Sequence, residues 1–166
     1  MSISRLVSIG FGLGLLRPAP GTWGSAGALA VGVVIDRFLG APALLVATLA
    51  AVAVGFWACA VELRDRPGAD PSEIVIDEVA GQWIALLFPS FAFWSRGWEG
   101  WMPYPGWVAA FLFFRLFDIW KPWLVGRADR RGDPMGVMLD DLWAGLFAGA
   151  AVVVSAGVYH GFLMAG

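Results

Sequence analysis

Long apolar stretches separated by short polar segments dominate the sequence. Residues 38–61 contain 24 consecutive residues without a charge, and residues 142–166 contain 25. Each stretch is longer than the ~20 apolar residues that an α-helix needs to cross a bilayer. Residues 22–39 follow a Pro-Ala-Pro-Gly segment and predict a further membrane helix.

Two more stretches have the length of a membrane helix, although charges accompany them. Residues 79–95 are uncharged over 17 positions, and they reach spanning length if their helix begins near Ser72. Residues 106–125 have helical length but contain three charged side chains.

The pattern therefore predicts an all-α, polytopic membrane protein with one domain, residues 1–166, and about five transmembrane helices. Four transmembrane helices and a short re-entrant or interfacial helix at residues 2–16 are the alternative.

The arginines predict the orientation of these helices, because basic residues are concentrated on the cytoplasmic side of membrane proteins. If the N-terminus is cytoplasmic, seven arginines lie inside and two outside, which supports five crossings with the C-terminus outside. The inner set is Arg5, Arg17, Arg64, Arg66, Arg127, Arg130 and Arg131, and the outer pair is Arg37 and Arg96. An aromatic belt is then expected at the outer interface, from Trp94, Trp98, Trp101 and Trp107.

Composition agrees with this interpretation. The residues A, V, I, L, M, F, W, Y and C make up 59% of the chain, charged residues make up 14%, and the mean hydropathy is +0.73. So few charges cannot cover a soluble globule, which excludes a soluble monomer. A net charge of −2 with scattered basic residues argues against a nucleic-acid partner. The single cysteine, Cys59, excludes intramolecular disulfides and multi-thiolate metal sites.

Several charged residues lie within or beside the predicted membrane helices, where charge is costly and functional roles are common. The predicted topology brings all of them towards the cytoplasmic leaflet: Asp77, Glu78, Arg115, Asp118, Lys121, Asp140 and Asp141. The sequence therefore predicts one polar site at that depth.

Each group also has a structural explanation. Asp70, Pro71 and Glu73 have the spacing of a capped helix start, which would make the following acids part of a solvated first turn. Charges at every third position of residues 115–121 could neutralise one another along one helix. Residues 140–141 could simply open the last helix as capping acids.

The charge balance favours a metal site. Five carboxylates and two cations leave an excess of three negative charges, and no Cys or His accompanies them. Hard oxygen ligands favour Mg²⁺ or Mn²⁺ over zinc. Such a metal beside Arg, Lys and a Gly-Thr-Ser turn could hold and polarise a phosphate. At this depth in the membrane, the phosphate would belong to a lipid.

Four segments carry a more specific signal: Pro-Gly-Thr-Trp-Gly-Ser at 20–25, Ile-Val-Ile-Asp-Glu-Val-Ala-Gly-Gln-Trp at 74–83, Phe-Arg-Leu-Phe-Asp-Ile-Trp-Lys-Pro-Trp at 114–123, and Gly-Val-Met-Leu-Asp-Asp-Leu-Trp-Ala-Gly at 136–145. In this combination and order the sequence resembles the phosphatidylglycerophosphatase A family. The resemblance implies a bacterial inner-membrane phosphatase that depends on Mg²⁺. Such an enzyme removes the terminal phosphate of phosphatidylglycerophosphate to give phosphatidylglycerol, with its site facing the cytoplasm.

Roles can then be assigned to the candidate residues. The expected metal ligands are Asp77, Glu78, Asp118, Asp140 and Asp141, and the expected catalytic groups are Asp77, Asp118, Asp141, Arg115 and Lys121. Arg115 and Lys121 would also bind the substrate phosphate, together with Thr22, Gly24 and Ser25. Water activated by the metal is the preferred nucleophile, and attack by an aspartate is the alternative. A small transporter or channel that uses the charges as an ion path is the alternative function. Nothing in the sequence indicates an oligomeric state.

Overall fold

The computed structural model describes the backbone of residues 1–65 and 71–163 and the side chains of residues 1–65 and 71–161. The described residues form helices and connecting turns, without a strand, which confirms the predicted all-α class. In chain order the helices are α1 (Ile3–Ser8), a 3₁₀ helix (Gly10–Leu15), α2 (Pro20–Glu62), α3 (Ile76–Trp94), α4 (Tyr104–Trp120), α5 (Leu124–Asp129) and α6 (Pro134–Leu163).

The longest helix, α2, is a hairpin of two helical halves. At Gly40 the backbone has φ 80° and ψ 173°, which interrupts the helix and is accessible mainly to glycine. Gly21, near the start of α2, lies against Glu78, and Gly55, near its end, lies against Ile76. Because both contacts are at the start of α3, the two halves run in opposite directions. They correspond to the two helices predicted over residues 22–39 and 38–61.

Two helices among the described residues, α2 and α6, are long and apolar enough to cross a membrane. Large apolar side chains are exposed along both, including Val46 and Leu49 on α2 and Val153 and Val154 on α6. Exposed apolar surface of this extent is typical of an interaction site or a membrane-facing surface.

The main core lies between α2, α3, α4 and α6. Leu44, Leu86, Phe114 and Ala148, one from each helix, are fully buried in it. Gly149 on α6 packs directly against the ring of Phe88 on α3, and a Cβ at this position would overlap the ring. The glycine therefore permits α3 and α6 to approach closely, as small residues do at helix interfaces.

The predicted helix start near Ser72 is wrong. Asp70, the predicted cap, lies outside the described residues, but Glu73 belongs to a turn and α3 begins only at Ile76. Tertiary contacts account for the difference. The backbone N–H of Val75 donates to the carbonyl of Ser8 at 2.8 Å, and Glu73 forms an ion pair with an arginine of α1. The segment is therefore bound to the N-terminal region and does not extend the helix.

The helix predicted over residues 106–125 also ends early. α4 stops at Trp120, and Lys121 adopts a left-handed conformation with φ 50° and ψ 53°. Pro122 follows, and its ring fixes φ and removes the N–H that a continuing helix needs. The chain then turns into the short helix α5.

The prediction that Asp140 and Asp141 open the last helix is wrong. α6 begins at Pro134, so the two acids lie nearly two turns inside it. The cap is Asp133, whose carboxylate accepts the N–H of Gly136 at 2.7 Å. Proline at the first helical position is favoured because its missing N–H would be unpaired there. Capping therefore does not explain Asp140 and Asp141.

Candidate active site

Three carboxylates from two helices meet near the N-terminal ends of α3 and α6. Asp77 and Glu78 lie in the first turn of α3 and Asp141 lies in α6, and one ligand oxygen from each is within 4.8 Å of the other two. Asp77 is 8% exposed and Asp141 is 3% exposed. We call these three residues the acidic trio. The sequence predicted that these acids share one site, and the fold brings them together.

The acidic trio fits a divalent cation. Glu78 Oε2 and Asp141 Oδ1 are buried without a hydrogen-bond partner, and the ion pairs among the described residues do not involve the trio. Buried anionic oxygens are costly unless a charge compensates them. Three carboxylates supply hard oxygen ligands, the type that Mg²⁺ prefers.

Arg115 of α4 lies beside the acidic trio. Its Nη1 forms an ion pair with Asp118, one helical turn further on, and also donates to Ser25 Oγ at 3.4 Å. Its Nε is buried without a partner. Asp118 interacts electrostatically with both Glu78 and Asp141, so this ion pair borders the trio.

Lys121 reaches the site through Asp140, the residue before Asp141 of the acidic trio. Its Nζ donates to Asp140 Oδ2 at 2.9 Å and also binds Asp129, the last residue of α5. Burial lowers the pKa of Lys121, but hydrogen bonds to Asp129 and Asp140 raise it by more, so its pKa lies above the ordinary value. Lys121 therefore remains an ammonium group. The charge ladder along residues 115–121 stops after the Arg115–Asp118 pair, because α4 ends before Lys121.

The predicted phosphate turn at residues 20–25 is the first part of α2. Gly21 lies against the site, where an added Cβ would overlap Glu78 Oε1 and lie 3.4 Å from Arg115 Nη1. Ser25 is buried, donates to the Gly21 carbonyl at 2.8 Å, and accepts from Arg115. The first N–H groups of a helix lack partners within the helix and carry partial positive charge, so this end can bind an anion.

Thr22 and Gly24 have different surroundings. Thr22 is half-buried on the first turn of α2. Gly24 packs on Val75, where an added Cβ would be 2.7 Å from the Val75 Cβ. Gly24 thus permits close contact with the segment before α3.

Sequence reasoning missed two polar residues near the site. Asp129 binds Lys121, but in the sequence it appears as a solvated acid among arginines. Gln82 is fully buried on α3, and both polar atoms of its amide lack partners. The sequence does indicate Gln82: it follows Glu78 by four residues in an otherwise apolar helix, so the two side chains share a face.

The fold and the site together define a class: an all-helical protein with a buried carboxylate centre flanked by Arg and Lys. The family model of Phosphatidylglycerophosphatase A matches residues 6–156. The chain belongs to this family, and it is a phosphoric monoester hydrolase.

Relatives match across most of the chain. It is 36% identical over 145 residues to Phosphatidylglycerophosphatase A of Haemophilus influenzae, covering 87% of this chain and 83% of the relative. Identity to Phosphatidylglycerophosphatase A of Escherichia coli is 34% over 158 residues, covering 94% and 81%. A Bacteroides thetaiotaomicron protein with the provisional name phosphatidylinositol-3-phosphatase is 37% identical over 154 residues, covering 90% and 91%. No solved structure matches the chain.

Proposed function

We propose that this protein hydrolyses the terminal phosphate of phosphatidylglycerophosphate to give phosphatidylglycerol, with Mg²⁺ as its cofactor. The observation that carries the proposal is the acidic trio with unpartnered oxygens, flanked by Arg115 and Lys121. The substrate is the one named for the relatives in Haemophilus influenzae and Escherichia coli.

The carboxylates divide into two groups in this proposal. Asp77, Glu78 and Asp141 hold the metal, which supplies Lewis-acid stabilisation of the phosphate and lowers the pKa of water when bound. Asp118 and Asp140 border the trio and are the remaining candidate ligands or bases. Their ion pairs also orient the two cations of the site.

The cations and the start of α2 bind the phosphate in this proposal. Arg115 has a planar guanidinium group that can donate two parallel hydrogen bonds to phosphate oxygens. Lys121 adds a point charge, Thr22 contributes a hydroxyl group, and Ser25 accepts a hydrogen bond from Arg115 and so helps to position it. Negative charge that develops on the phosphoryl oxygens is stabilised by donors already held in place.

We further propose that the protein lies in the bacterial inner membrane, with five crossings and its site facing the cytoplasm. The crossings are the two halves of α2, followed by α3, α4 and α6. Exposed apolar side chains on α2 and α6 support membrane insertion. Trp94 ends α3, Trp98 and Trp101 follow it, and all three are more than half exposed, as expected for an interfacial belt. Trp107 instead packs against the core.

A related lipid phosphate is the second candidate substrate. The Bacteroides thetaiotaomicron relative is provisionally named for phosphatidylinositol-3-phosphate, which is also a phosphate monoester on a lipid headgroup. The groups described here recognise the phosphate, which both lipids share. No observation favours the transporter or channel alternative.

Phosphate release from defined lipids tests the proposal. Purified protein in detergent should release phosphate from phosphatidylglycerophosphate faster than from phosphatidylinositol-3-phosphate or phosphatidic acid. Chelation should abolish release, and Mg²⁺ should restore it. Full activity in a demonstrably metal-free preparation would falsify the metal role. Faster hydrolysis of phosphatidylinositol-3-phosphate would replace the proposed substrate.

A further inference from the structure

Lys121 is bound by two carboxylates with different surroundings. Asp140 lies next to Asp141 of the acidic trio and is 7% exposed. Asp129 lies on α5, outside the trio, with a side chain that is 37% exposed. An ammonium group has three N–H donors. When both carboxylates accept from Lys121, one donor remains for a phosphate oxygen.

The backbone between α4 and α5 is arranged to bring Asp129 to Lys121. Lys121 has φ 50° and Trp123 has φ 44°, and both values are in the left-handed region that non-glycine residues avoid. α5 packs on the backbone of Lys121, because a Cβ at Gly126 would be 2.5 Å from the Lys121 carbonyl oxygen. Unfavourable backbone conformations that persist often mark functional sites.

We propose that Asp129 is a positioning residue, which holds the Lys121 ammonium group so that it can bind the substrate phosphate without leaving the site. The inference rests on the proposed function. Without Asp129, Asp140 alone would hold the Lys121 ammonium group, whose two free N–H donors would have no fixed direction. With Asp129 in place, two carboxylates fix the ammonium group and the third donor is directed to the phosphate.

A purely structural role for Asp129 would affect folding and not substrate binding. Even the effect on folding should be small, because ion pairs with solvent-exposed groups contribute little to stability. A positioning role instead predicts a change in substrate binding, and this change should require Lys121.

Kinetics of Asp129→Asn and Asp129→Glu test the proposal, with Asp133→Asn as the matched control. Asp133 is an exposed acid that pairs with Arg131 in the neighbouring turn. Asp129→Asn should raise KM about tenfold with little change in kcat and a normal yield of inserted protein, and Asp129→Glu should restore most of the affinity. Asp133→Asn should have wild-type KM.

A double-mutant cycle provides the second readout, since coupled residues give non-additive effects. In a Lys121→Ala background, Asp129→Asn should have no further effect on KM. A wild-type KM for Asp129→Asn, or an undiminished effect in the Lys121→Ala background, would overturn the positioning role.

Direct binding separates this inference from the proposed function. Isothermal titration of inorganic phosphate should show weaker binding to Asp129→Asn than to the wild type. If the wild-type protein hydrolyses no lipid in the panel, the proposed function fails. Equal phosphate affinity of the wild type and Asp129→Asn would overturn the positioning role whether or not hydrolysis is seen.

Discussion

Gly145 of α6 packs directly on the backbone of Gly81 of α3, so closely that a Cβ at Gly145 would overlap the Gly81 carbonyl oxygen. Gly81 follows Asp77 by four residues, and Gly145 follows Asp141 by four. Residues four apart lie on the same face of a helix. The contact between the two glycines therefore brings Asp77 and Asp141 together one turn away.

Gly145→Ala should therefore impair the site. The added methyl group meets backbone atoms, which cannot rotate away, so α6 must move from α3 at a cost of about 1–3 kcal/mol. We expect phosphate release to fall by about tenfold or more. Gly157→Ala is the control, because nothing lies within 4 Å of a Cβ at Gly157 on the same helix. Equal activities of the two variants would contradict a role for this close approach.

Gly21→Ala should weaken metal binding. Its Cβ would overlap Glu78 Oε1, and the carboxylate must rotate away from the acidic trio. We expect the Mg²⁺ concentration for half-maximal activity to rise, with a normal yield of inserted protein. Gly27→Ala is the matched control on α2, since its Cβ would meet the end of the Leu13 side chain. An unchanged Mg²⁺ requirement in Gly21→Ala would argue against Glu78 as a ligand.

Arg115→Lys tests whether Arg115 binds phosphate or only neutralises Asp118. Lysine keeps the positive charge but lacks the planar fork. Loss of a bidentate contact to the reacting phosphate should cost roughly 2–4 kcal/mol, or about 30- to 1000-fold in kcat/KM, by analogy with removal of one oxyanion donor. Arg131→Lys, which alters an exposed ion pair with Asp133, should be nearly neutral. Near-normal catalysis by Arg115→Lys would leave Arg115 only as a counter-ion.

Cysteine labelling tests the orientation of α3. Ser72 and Ser95 are exposed at its two ends, and Cys59 is buried. In a Cys59→Ala background, Ser72→Cys and Ser95→Cys should react with an impermeant reagent from opposite faces of the membrane, with Ser72→Cys labelled from the cytoplasm. Labelling of both from one face would show that α3 does not cross.

The sequence by itself determined the helical class and indicated most of the charged residues that the fold brings together. Apolar stretches of spanning length leave few folds other than packed helices, because every backbone polar group in hydrocarbon must be satisfied within its own segment. Charges are so costly in that setting that Asp77, Glu78, Arg115 and Asp141 stand out as candidates without any structure. Gly145 and Gly149 have the four-residue spacing of small residues that permits close helix packing, and α6 lies close to α3 at both positions.

Tertiary structure decided where the helices begin and end and how the charges pair. Glu73 lies outside α3 because contacts with the N-terminal region compete with the local helix signal, and those contacts are distant in sequence. Lys121 turns to Asp129 and Asp140 because its left-handed backbone conformation and Pro122 end α4, whereas spacing alone placed it on one helix with Asp118. Sequence spacing describes neighbours along one helix. The partner of a charged side chain at a helix end depends on the next segment, whose direction is fixed only when the helices pack.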